Sequence, residues 1–270
     1  MQVFSRRFFR VGILVFLTLA LALSAQAAGF SNASLKGSYS FLTNLRTANV
    51  NTPQSAMVGV MTFDGAGNVT GSYTSISIHT VQKGTLGGTY SVKSNGSGLI
   101  DLTSGVTAQY AITLNSTVAG VAQGVQLLRT DDTSNEIVSG TAVLQSTAAG
   151  KYTVASVKGN FALQYNPWTD DASLAEDGGV GIFSFDGNGN IKGSVTIMYD
   201  GGKLGGPFKA TYKVNSNGSG TISGIGKHGL QIAFVLNSVV AGEAKGLQFL
   251  DTNTGDGSGD LVITGNALKQ

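Results

Sequence analysis

"FDGAGNVTGS" occupies residues 63–72 and "FDGNGNIKGS" occupies residues 185–194, an offset of 122. Each decapeptide sets an Asp-Gly pair between an apolar run that closes on Phe and a second run that opens after Asn. Asp-Gly accepts positive φ at small steric cost, as a tight hairpin turn demands. "SNGSG" serves the same purpose at 94–98 and again at 216–220. Both motifs recur at one spacing, so an entire unit has been copied.

The same offset carries "ASLKGSY" (33–39) onto "ASVKGNF" (155–161), and "LNSTVAGVAQGVQLL" (114–128) onto "LNSVVAGEAKGLQFL" (236–250). Residues 33–130 align with 155–252 without a gap, with 39 identities in 98 pairs. A period this long marks a duplicated domain, because solenoid repeats run only ~20–50 residues. The expected organisation is a leader at 1–28, one copy at 29–148 and a second at 149–270. "STAAGKYT" (146–153) joins them; it lacks proline and charge runs, which predicts close packing of the copies.

Turn signals divide the first copy into strand-like segments near 36–43, 56–64, 68–79, 84–93, 98–103, 107–115, 121–129 and 136–145. In "YAITLN", Tyr110, Ile112 and Leu114 fall on one face and Ala111 and Thr113 on the other; Ile232, Phe234 and Leu236 repeat the pattern. No segment of useful length carries a helical apolar stripe. The composition agrees: 39 Gly, 3 Pro and 12% charged residues suit short strands and tight turns, and 41% hydrophobic residues can fill a core. Eight consecutive antiparallel strands can close on themselves and leave no edge. The predicted fold class is therefore all-β, two tandem copies of an eight-stranded antiparallel barrel. Such a barrel is filled by side chains or holds one small ligand.

The leader reads as a cleaved signal peptide. Arg6, Arg7 and Arg10 form a basic start, Val11–Leu23 an apolar run of 13, and Ala25-Gln26-Ala27 a small-residue cleavage site. A membrane-spanning helix would need ~20 apolar residues. Ser5-Arg6-Arg7-Phe8-Phe9 also resembles a twin-arginine start, so the export route stays open. Of 17 Lys+Arg, 3 lie in the leader, against 15 Asp+Glu after it, so the mature chain carries about −1 rather than +2. No basic patch for nucleic acid is expected from that balance.

Chemistry-bearing residues are sparse. With no Cys there is no disulfide, thiolate metal site or cysteine nucleophile. His79 and His228 align with Gly201 and Val106, so neither belongs to the shared unit. "DGNGN" (186–190) has the alternate oxygen ligands of a calcium loop but lacks the distal Glu, and copy one has Ala66 in the middle. The turn reading is preferred; no metal, cofactor or catalytic residue is predicted. Asp64 and Asp186 are the one acidic pair common to both copies, whereas glycosidases need two placed carboxylates.

"F-D-G-x-G-N-[VI]", "G-x-Y-x-V-x-S-N-G-S-G" as carried at 88–98, "G-x-Q-[LF]-L" and "SGTAVLQ" (139–145) resemble a group of exported bacterial glycine-rich β-barrel repeat proteins, from Acidobacteria-like sources. That resemblance spans both copies and implies export and a β fold, with no activity attached. A weaker likeness is to the lipocalin/calycin barrels, whose first strand carries Gly-x-Trp. Here Gly37-Ser38-Tyr39 and Gly159-Asn160-Phe161 stand in those places, without the Trp.

The copies diverge most at "RTANVNTPQSAM" (46–57) against "WTDDASLAEDGG" (168–179). Divergent loops on a shared scaffold are where function concentrates. Phe161, Tyr165 and Trp168 are the predicted ligand-binding set, on the first strand of copy two. The functional expectation is an exported, non-catalytic protein of the periplasm or cell surface, either binding a small hydrophobic molecule or acting as a structural module. Its alternatives are a barrel isomerase or cyclase resembling allene oxide cyclase or dirigent proteins, and an outer-membrane barrel of sixteen strands.

Overall fold

The computed structural model describes residues 29–47, 55–77, 80–131, 136–146, 151–169, 178–199, 202–226, 229–253 and 261–270. The leader at 1–28, His79, His228 and the acidic stretch 170–177 lie outside them. The first eight strands are β1 (Lys36–Thr47), β2 (Ser55–Asp64), β3 (Asn68–Ser77), β4 (Thr80–Val92), β5 (Ser97–Ser104), β6 (Val106–Val118), β7 (Val121–Arg129) and β8 (Glu136–Ser146). The second set is β9 (Lys158–Thr169), β10 (Gly178–Asp186), β11 (Asn190–Tyr199), β12 (Gly202–Val214), β13 (Ser219–Ile225), β14 (Leu230–Val240), β15 (Glu243–Asp251) and β16 (Leu261–Lys269). Each set closes on itself as an up-and-down antiparallel barrel, β1 pairing with β8 and β9 with β16. Sixteen strands thus make two barrels of eight rather than one large ring.

The Asp-Gly motif is a self-capped turn. Asp64 Oδ1 accepts from the N–H groups of Ala66, Gly67 and Asn68 at 2.7, 2.9 and 2.9 Å, and Oδ2 accepts from Asn68 Nδ2 at 2.6 Å. Gly65 and Gly67 take φ of 82° and 121°. Asp186 repeats the arrangement with Asn188 and Asn190. Four donors occupy the Asp64 carboxylate, which is what the turn reading requires.

One end of each barrel is stoppered by the chain that leads into it. A short 3-10 turn, Asn32–Ser34 in the first copy and Val154–Ser156 in the second, crosses that end. Tyr90 Oη donates to the carbonyls of Asn32 and Leu35 at 3.1 and 2.8 Å; Tyr212 Oη does so to Val154 and Val157 at 3.0 and 2.9 Å. Below each tyrosine, aromatic rings meet edge to face: Tyr39–Phe63–Tyr90 in barrel one and Phe161–Phe185–Tyr212 in barrel two.

The barrels also pack side by side. Outward residues Leu42, Ala56, Val58, Val60 and Ile76 of β1–β3 meet Ala233, Val235, Leu250 and Val262 of β14–β16 in a third apolar cluster. Gln145 Nε2 donates to the Leu236 carbonyl at 2.6 Å, Gln248 Nε2 to Thr141 Oγ1 at 3.1 Å, and Asn217 Nδ2 to Ser72 Oγ at 2.9 Å. Consequently β15 is buried on both faces, Leu247 and Phe249 inward and Gln248 and Leu250 toward barrel one.

These hydrogen bonds, the Asn68 side chain foremost and then the backbone N–H groups, lower the Asp64 pKa from 3.8 to about 2. A depressed carboxylate contributes stability that is complete above its unfolded pKa and is lost as pH falls from about 4 toward 2. Carboxyl-detected NMR titration should place the Asp64 midpoint near 2, and Asn68→Ala should move it back toward the ordinary carboxylate range.

Candidate functional site

The two interiors are built from the same positions but filled differently. In barrel one, Phe41, Met57, Met61, Leu86, Ile100, Leu102, Tyr110 and Leu127 leave a void of only about 10 Å³, the least that one water needs. Above it, Tyr110 and Arg129 help line a mouth groove of about 150 Å³ that also holds Thr43, Ser75 and Ser77. Burial pushes the Tyr110 phenol up, and Arg129 Nε donates to Asp131 Oδ1 at 2.8 Å.

Barrel two carries Ile232 where barrel one has Tyr110, Gly179 for Met57 and Tyr165 for Thr43. Removing Met57 and Tyr110 opens space, and Tyr165 takes back only part of it. The result is an internal cavity of about 110 Å³ lined by Leu163, Tyr165, Phe183, Val195, Ile197, Ile225, Leu230, Ile232, Phe249, Asp251 and Ile263. Its floor is aromatic: Phe183 meets Phe208 edge to face at 5.3 Å and lies tilted against Phe249 at 6.5 Å. A β-carbon on Gly193 would come within 2.3 Å of Phe208, so that ring lies over a bare glycine on the neighbouring strand.

Asp251 is the carboxylate of this lining and is 7% exposed. It follows Leu247 and Phe249 on the inward face of β15, where Arg129 stands in barrel one. Its Oδ1 accepts from the Asn253 N–H at 2.8 Å. The arrangement is an apolar pocket with one acidic group and one phenol, the pattern of small-molecule sites.

Of the predicted set, Tyr165 lines the cavity. Phe161 is fully buried against Phe185 near the stoppered end, outside the lining. Trp168 lies on β9 opposite Val262, and its side chain is outside the described residues. Sequence reasoning missed Asp251. The signal was present: a charge that continues the two-residue apolar rhythm of Leu247 and Phe249. A second concavity of about 420 Å³ runs between the barrels, bordered by Ser72, Thr74, Lys83, Ser216, Asn217 and Thr221 among others.

No family model matches the chain, and no curated protein does. Among solved structures, a de novo designed fluorescence-activating β-barrel aligns at 14% identity over 42% of this chain and 94% of its own, with a TM-score of 0.29. A DUF3598-family protein of unknown function from Nostoc punctiforme aligns at 10% identity over 87% of this chain and 96% of its own, TM-score 0.28. Kievitone hydratase from Nectria haematococca aligns at 8% identity over 88% and 91%, TM-score 0.27. Scores this low carry no weight for binding or catalysis, which rest on the residues themselves.

A β-carbon on Gly179 would fall 2.1 Å from the Tyr165 ring. Gly179→Ala should therefore displace Tyr165 and destabilise barrel two by about 1–3 kcal/mol, the usual cost of overpacking. The double variant with Tyr165→Thr, the residue of copy one, should recover most of that loss in denaturant unfolding.

Proposed function

We propose that barrel two takes up a small apolar molecule bearing one hydrogen-bond donor or cationic group, and that barrel one is its packed, ligand-free companion. The supporting observation is the cavity itself: apolar on nearly every side, with Asp251 and Tyr165 as its polar lining. A dry cavity of about 150 Å³ lined by Leu, Ile and Phe can hold benzene. Barrel two, at about 110 Å³, suits a single ring or a short branched chain. The proposed site centres on Tyr165 at the cavity, with Phe161 beneath it; Trp168 pairs with the outward residue Val262 and is left out of it. Its location would be the periplasm or the cell exterior, on the strength of the basic, apolar and small-residue leader.

A second reading, an isomerase or cyclase, draws on the same pair: a carboxylate and a phenol in one apolar pocket are the groups a proton transfer would use. In that case Asp251→Asn would abolish turnover of a bound compound while leaving its affinity nearly intact.

Binding is tested by thermal melts against small amines and alcohols such as benzylamine and isobutylamine. A ligand that binds only the folded state raises stability by about 2.7 kcal/mol at 100 times its Kd. Benzylamine should raise Tm in proportion to log concentration, and Val195→Phe should remove the shift by filling the cavity. A panel without effect, or a shift that survives Val195→Phe, counts against the cavity. Export is tested separately by N-terminal sequencing of protein from the periplasm or medium, which should begin at Ala28 or Gly29.

A further inference from the structure

The contact between the barrels joins two different faces. Barrel one offers the outer face of β1–β3, and barrel two that of β14–β16. Because the barrels are copies, each also carries the other's face, and those two faces are unused. Val180, Ile182 and Met198 on barrel two correspond to Val58, Val60 and Ile76. The latter are at most 5% exposed, whereas their counterparts are 57, 43 and 49% exposed. On barrel one, Leu128 corresponds to Leu250, and Ile137 to Val262 through the register of β8 and β16; they are 47 and 58% exposed against 0 and 5%. Five of the large apolar side chains left exposed on this molecule are thus duplicates of buried interface residues.

The polar contacts are duplicated too. Gln145, which donates to the Leu236 carbonyl, has Gln270 as its counterpart, and Leu236 has Leu114. Gln248 and Thr141 map to Gln126 and Asn266, and Asn217 and Ser72 to Asn95 and Ser194. Each counterpart side chain can donate or accept as the original does, and Gln126, Asn266, Gln270, Asn95 and Ser194 are exposed. Three apolar positions weaken: Leu42 becomes Gln164, Ala56 becomes Gly178 and Val235 becomes Thr113. The free faces therefore form a less apolar version of the internal joint.

We infer that a second copy of this chain docks its β6–β8 face on the free β9–β11 face of the first, repeating the internal joint between molecules. Such an interface is heterologous: it leaves one free face at each end and grows into a ring or an open array rather than stopping at a symmetric dimer. Inside the chain the linker holds the faces together at an effective concentration on the order of millimolar, so the untethered contact should act at or below ~1 mM.

The experiment uses sedimentation velocity from about 10 µM to about 1 mM, the upper value matching that effective concentration. The weight-average mass should rise past that of a dimer. Val180→Lys/Ile182→Lys blocks one face and Leu128→Lys/Ile137→Lys the other. All four positions are solvent-exposed, so Tm should not change. Each variant alone should stay monomeric, and an equimolar mixture should form dimers and nothing larger, because each partner keeps the face the other lacks. Since the chain has no native Cys, Asn95→Cys/Ser194→Cys should give a ladder of oxidised oligomers at positions equivalent to the Asn217–Ser72 contact. A strictly monomeric protein without a ladder, variants that associate as the parent does, or a mixture that remains monomeric would each overturn the inference.

Discussion

An eight-stranded sheet that closes on itself has a fixed bore, and the side chains pointing inward must sum to its volume. This chain meets the constraint by setting large rings over bare glycines on the adjacent strand. Phe41 covers Gly59 in barrel one, while Phe208, Phe234 and Phe249 cover Gly193, Gly220 and Gly265 in barrel two. A ring on one strand thus fills the space that a neighbouring residue would otherwise have taken. Much of the glycine that reads as turn chemistry in the sequence is interior filling inside strands.

The same constraint explains how two copies of one fold came to differ in their cores. Substitutions run in compensating pairs across neighbouring strands: Thr43 and Met57 become Tyr165 and Gly179. Where compensation is complete the bore is solid, as beneath Tyr110. Where it is not, as around Ile232, a cavity remains with Asp251 in its wall. The difference between the solid bore and the cavity is therefore a few side-chain volumes within one strand order.

Fold class, strand number and strand pairing were legible in the sequence because they depend on local signals: Asp-Gly and Asn-Gly turns, period-two alternation and the repeated spacing. Strand ends were less so. β6 runs on to Val118 because the Ala119-Gly120 turn takes positive φ at both residues, 50° and 79°, and Ala gives little sign of that. The last strand slipped out of the alignment. Ser40 pairs with Val143 but its counterpart Ala162 pairs with Leu268, so the copies are 125 apart there rather than 122. The cavity could not be read at all, since it depends on how residues from several strands fill a shared volume. Asp251 was hidden for a related reason: one acid at the end of an apolar strand resembles any solvated strand end until the barrel closes around it.

The tyrosine stoppers have a kinetic consequence. With Tyr212 bonded to the carbonyls of Val154 and Val157, one end of barrel two is sealed by its own chain. Under the binding proposed above, an occupant would neither enter nor leave by that end. Its residence time would then be set away from the stopper, where a change can slow entry and escape by the same factor without altering the equilibrium between them.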